Sequence, residues 1–234
     1  MKRQKNLTGY LLILAAITFW ISWLLMPDPG TTDTNHILTI VKQARISVLC
    51  SVIIQIVSSV LYILALFSLT QFSVPQKKTT FIGIVLFGIG AMGLCSDAFF
   101  HLLAFFMTDD SVNIQQDVVR VMNFMQTKGV IFLIPLLLPL FIGSLVLAIG
   151  LKKQGIISNN PAITFITAFS IGIIGTIIAK TILGYNGPVL SFVTLGIFAT
   201  GQALIGFEII KASQKRIAGN QSDKIKKITA EINR

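Results

Sequence analysis

The chain alternates six long apolar stretches with short polar ones. The apolar stretches are residues 7–26, 46–69, 80–107, 130–151, 163–183 and 189–210. Each reaches the roughly 20 residues needed to cross about 30 Å of hydrocarbon. Backbone groups in lipid must bond within the segment or around a closed barrel. Barrel strands alternate apolar and polar positions, and these runs do not. The pattern predicts an all-α polytopic membrane bundle over residues 1–210, with a basic tail at 211–234.

Composition fits this reading. Apolar residues make up 53% of the chain and charged residues 12%, where soluble domains carry about 25%. The net charge of +10 would suit nucleic acid, but its placement argues against it. Lys2, Arg3, Lys5, Lys77, Lys78, Lys152, Lys153, Lys211, Lys215 and Arg216 fall at the N-terminus or in the even-numbered gaps. The odd gaps hold Asp28, Asp33, Asp109, Asp110 and Asp117 against Lys42, Arg45, Arg120 and Lys128. This is the positive-inside bias, and it predicts three outward-opening hairpins with both termini cytoplasmic. The basic leader Met1–Lys5 resembles a signal peptide. The apolar run behind it is too long for one, and it ends at Trp20, Trp23 and Pro27, an interfacial anchor. Short loops and an Ile/Lys/Asn-rich composition point to a bacterial-type inner membrane.

Two outer loops run straight into the next helix. After Asp33 or Thr34 as cap, Ile37, Ile40, Val41 and Ala44 fall at helical spacing. After Ser111 as cap, Ile114, Val118, Val121, Met122 and Met125 form a second stripe. Residues 34–45 and 111–126 are therefore expected to be helical, either as extensions of helices two and four that project past the membrane or bend along its surface, or packing together as an external cap over the bundle. The third outer loop, Tyr185-Asn186-Gly187-Pro188, has tight-turn composition. Pro135 and Pro139 predict a kink in the fourth span. In the tail, Ser222 can cap a short helix with Ile225, Ile228 and Ile232 on one side; the alternative is a frayed, solvated tail. Lys224, Lys226 and Lys227 around that helix suit contact with anionic lipid or a cytoplasmic partner. Cys50 and Cys95 differ by about 10 Å in depth and are expected to stay unpaired.

Ionisable groups inside a bilayer are costly, so each needs a partner or water. Asp97 and His101 are one turn apart on the third span. Gly90, Gly93 and Ala104 share their side, so this face should point into the bundle. At about 1.5 Å per residue, Gln55, Asp97, His101 and Lys180 share a slab in the outer half, with Gln202 deeper. An Asp–His pair in low dielectric can share a proton, orient an imidazole toward a metal or substrate, or hold a cation. It can equally be a satisfied interhelical cluster. Lys180 can snorkel to the interface, Gln55 and Gln202 can be interhelical hydrogen-bond residues, and His36 is a solvated loop residue.

Enzyme readings are weak. Catalytic zinc usually needs three protein ligands, and the chain has two histidines, one outside the spans. No G-x-S-x-G, Walker A or H-E-x-x-H pattern occurs. Ser96 and Asp97 point about 100° apart on a helix and make a poor catalytic set. No cofactor is implied. The expected function is small-ligand or proton/cation binding or transport through an outward-facing pocket lined by Asp97, His101, Gln55 and Lys180. The alternative is a non-catalytic membrane subunit, sensor or protective protein whose polar cluster is structural.

Overall fold

The computed structural model describes residues 2–29, 33–71, 77–112, 115–182 and 188–232. Within these stretches, the side chains at 2–5, 115, 180 and 215–232 lie outside the description. The described residues are helical: α1 Lys2–Leu25, α2 Thr34–Gln43, α3 Arg45–Thr70, α4 Lys78–Met107, α5 Gln115–Phe124, α6 Val130–Lys153, α7 Asn160–Ser170, α8 Thr176–Thr181 and α9 Val189–Ile232. A π-helical turn, Met125–Gly129, joins α5 to α6, and another, Ile171–Gly175, joins α7 to α8. Six helical stretches are long and apolar enough to cross a membrane: Asn6–Leu25, Arg45–Thr70, Lys78–Met107, Gln116–Lys153, Asn160–Ala179 and Val189–Gln214.

Apolar burial does not hold helices together in lipid, so close approach and polar contacts must. Both are visible. α1 and α3 run antiparallel and are stapled along their length. The hydroxyls of Ser47, Ser51 and Ser58 donate to the carbonyls of Leu25, Ser22 and Ala15 at 2.6, 2.6 and 2.9 Å, and Thr8 Oγ1 lies 2.6 Å from Ser68 Oγ. α4 and α6 approach backbone to backbone. A Cβ on Gly90 would lie 2.0 Å from Leu140 N, and one on Gly83 would lie 2.5 Å from Leu147 N. α3 also packs on α4, α1 on α9, and α9 on α7.

Halfway along the bundle, aromatic rings close its centre. Phe19 meets Tyr62 at 6.4 Å and Phe198 at 6.0 Å, and Tyr62 meets Phe87 at 5.0 Å. Phe141 and Phe165 meet Phe198 at 4.7 and 5.2 Å. Every spanning segment donates a ring to this layer. The Tyr62 hydroxyl donates to Gln202 Oε1. Gln202 Nε2 donates to Ser144 Oγ at 3.3 Å, and Ser144 Oγ donates to the Leu140 carbonyl at 2.7 Å. This chain ties α3, α9 and α6 together.

One end of the bundle is capped by α2 and α5. Asp33 Oδ1 accepts from the backbone N–H of Asn35 and His36 at 3.0 and 3.2 Å, fixing the start of α2. Ile37 and Val41 of α2 pack with Met122, Met125, Met26, Val48 and Ala104 in a cluster separate from the main core. Of the two arrangements the spacing allowed, the stripes therefore pack together. Ser111 does not cap α5. It lies in a turn, where its N–H and O–H donate to Asp109 Oδ1 at 3.0 and 2.7 Å, and α5 begins at Gln115. Ile114 and residues 185–187 lie outside the described residues.

At the opposite end, Lys77 Nζ donates to the Lys153 carbonyl at 2.6 Å and Lys152 Nζ to Asn159 Oδ1 at 2.8 Å. The Glu208 carboxylate accepts from the N–H and O–H of Ser158 beside the start of α7. α6 keeps its helical assignment through Pro135 and Pro139, and the irregular turn falls just before it, at Met125–Gly129. α9 continues past Ile210 to Ile232, so the separate helix that Ser222 could cap is instead part of α9. Cys50 and Cys95 are free.

Candidate functional site

The site lies between the aromatic layer and the cap. α4 supplies Asp97 and His101 one turn apart, and α3 supplies Gln55. Gly90 and Gly93, on the same side of α4, let α6 lie close beside it. Asp97 is 6% exposed and Gln55 1%. Gln55 Nε2 donates to Asp97 Oδ2 at 2.7 Å. His101 Nε2 is 3.4 Å from the same oxygen. That is ion-pair distance without hydrogen-bond geometry, and His101 Nε2 is buried with no hydrogen-bond partner.

Across from His101 stands Trp23 of α1, its ring perpendicular to the imidazole with centroids 6.2 Å apart. Trp23 Nε1 is likewise buried without a hydrogen-bond partner. Asp97, His101, Gln55 and Trp23 thus converge from α4, α3 and α1. Two of their nitrogens have bonding capacity left in an apolar surround, where unpaired polar groups are costly.

The other sequence candidates fall elsewhere. The side chain of Lys180 lies outside the described residues. Gln202 is fully buried in the chain with Tyr62 and Ser144, within the aromatic layer. His36 is exposed in the first turn of α2, where Nε2 lies 2.8 Å from Asp28 Oδ2. Among the described residues no group of three or more His, Cys, Asp or Glu side chains could hold a metal.

Trp23 was missed because interfacial tryptophans are common and its contact with His101 joins α1 to α4, which no local spacing reveals. Tyr62 had a signal. Ser51, Gln55, Ser58, Ser59 and Tyr62 recur every three or four residues, a polar stripe on one face of α3. All five are buried. The stripe donates to α1 through Ser58, to α4 through Gln55 and Ser59, and to α9 through Tyr62.

Chemically, the arrangement can hold a proton between a carboxylate and an imidazole, or a small cation on the carboxylate. Its six spanning helices make the chain a multi-pass membrane protein. No family model, curated protein or solved structure matches it.

Proposed function

We propose that the protein binds, and moves across the membrane, a proton or small cation at Asp97, with His101 and Gln55 as its partners. The observation that carries this is the setting of Asp97. A carboxylate within a membrane span is accompanied by a neutral amide at 2.7 Å and an imidazole at 3.4 Å. Among the described residues no lysine or arginine forms an ion pair with it. Charge in such a position needs compensation, and a proton shared with His101 or a bound cation supplies it. On this reading the capped end faces outward, both termini are cytoplasmic, and the membrane is a bacterial-type inner membrane. Lys180 contributes from α8, and the basic tail meets anionic lipid or a cytoplasmic partner.

The test is proton and alkali-cation flux in liposomes, wild type against Asp97→Asn. The amide keeps the shape and can still accept from Gln55, so the variant should insert and melt near wild type while losing the flux. A second reading is structural: hydroxyl and amide side chains already staple α3 to α1, α4 and α9, and Asp97 would be one more staple. It predicts no flux in the wild type and a lowered Tm as the main effect of Asp97→Asn. That result overturns the transport reading.

A further inference from the structure

The Asp97–His101 site, with side chains 9% and 28% exposed, lies between two layers that are built differently. Toward the lysine-rich end lies the aromatic layer, in which Phe19, Tyr62, Phe87, Phe165 and Phe198 are at most 1% exposed and all six spans take part. Toward the other end lies the cap, two ten-residue helices over a small cluster of their own.

The ion pair of the cap lies at its surface. Lys42 Nζ is 2.9 Å from Asp110 Oδ1, with side chains 60% and 90% exposed. Arg45, the first residue of α3, is half-buried, with Nη2 2.9 Å from Asp109 Oδ2 and its guanidinium 4.3 Å over the Phe105 ring; it ties α3 to the α4 end and neither cap helix. Exposed ion pairs exchange with water at small cost. Breaking the aromatic layer would strip five helices of packed, buried rings and α6 of a half-buried one.

Both cap helices also end in a backbone irregularity. Ala44, at φ −113° and ψ 31°, separates α2 from α3. The π-helical turn Met125–Gly129 separates α5 from α6. Helices bend at such points. A cleft of about 260 Å³ already runs between the two, lined by Leu38 and Lys42 of α2, Met107 and Asp109 of the α4 end, and Val118 and Val119 of α5.

We infer that α2 and α5 form a lid hinged at Ala44 and at Met125–Gly129 and latched by Lys42–Asp110. When it swings open, aqueous solutes reach His101 and Asp97 while the aromatic layer stays shut. What passes the lid rests on the proposed Asp97 site. Opening of the lid does not, and it is measured alone.

The chain has two tryptophans, so Trp20→Phe leaves Trp23, beneath the lid, as the sole reporter. In phosphatidylcholine nanodiscs, aqueous acrylamide should quench Trp23 weakly. Lys42→Gln should raise the quenching constant. In a Cys50→Ser/Cys95→Ser background, Leu38→Cys and Val118→Cys joined by a flexible bis-maleimide should lower it below the unjoined protein. This arm decides the matter if the latch variant fails to fold. Quenching unchanged by the cross-link, or by the latch variant where that folds, overturns the lid. Lid-dependent quenching without proton or cation flux overturns the transport reading and leaves the lid. Flux that ignores the cross-link overturns the lid and leaves the site.

Discussion

Asp97 and Asp109 carry the same carboxylate into opposite surroundings. Asp97 is enclosed by α3, α4 and α1, where its charge needs a partner. Asp109 stands in the turn after α4, where hydrogen bonds from the Ser111 side chain and backbone, and then the charge of Arg45, hold its carboxyl below the usual aspartate range. The sign of its linkage follows. Its folded value lies below its unfolded value, so the stabilisation is present above the unfolded value and disappears as pH falls through the folded one. Wild type should therefore melt above Asp109→Asn at neutral pH, and the gap should close as pH drops below the ordinary aspartate range. Thermal melting in detergent across pH measures this. A gap that persists at the acid end would mean Asp109 acts through geometry rather than charge. Asp97 and His101 were legible in the sequence because ionisable side chains are rare in apolar runs. Trp23 was not, because tryptophan near a span end already has an ordinary explanation.

At the scale of elements, the α4–α6 pair is held by absence of side chain rather than by its presence. Gly83, Gly90 and Gly93 of α4 meet the backbone of α6, and Gly143 of α6 meets the backbone of Phe87. A methyl at Gly90 would sit 2.0 and 2.2 Å from Leu140 N and Cα, atoms that cannot rotate away, so the helices must part. Gly90→Ala should cost about 1–3 kcal/mol or more, as overpacking does. Gly88→Ala, whose new methyl would find only Leu66 Cδ1 at 3.9 Å, should be neutral or slightly stabilising through helix propensity. Equilibrium unfolding in mixed micelles distinguishes them, and equal effects would remove the close-approach account. The spans and both cap helices were legible because apolar length and a 3.6-residue period are local signals. The α5 start was misplaced because Ser111 is satisfied by Asp109, a competing partner two residues away. The π-helical turns carry no comparable local signature.

For the whole molecule, charge and architecture divide along one axis. The capped end carries Asp28, Asp33, Asp109, Asp110 and Asp117 against Lys42, Arg45, Arg120 and Lys128, with Lys42 and Arg45 paired to Asp110 and Asp109. The opposite end carries Lys77, Lys78, Lys152, Lys153 and Lys211. A basic residue near an anionic leaflet gains about 1 kcal/mol, and lysines resist translocation in short loops. Five lysines at one end should therefore keep that end cytoplasmic, and the lid would then open to the outside, placing the binding site on the supply side of an inward proton gradient. The fold alone does not set this sense, since an antiparallel bundle packs identically either way up. The deciding experiment uses the Cys50→Ser/Cys95→Ser protein in intact cells with a membrane-impermeant maleimide. Asp110→Cys, in the cap turn, should label at once. Lys78→Cys, at the start of α4, should label only after the cells are permeabilised. The reverse pattern would turn the molecule over: the lid would face the cytoplasm, and a proton entering through it would leave against the usual gradient rather than with it.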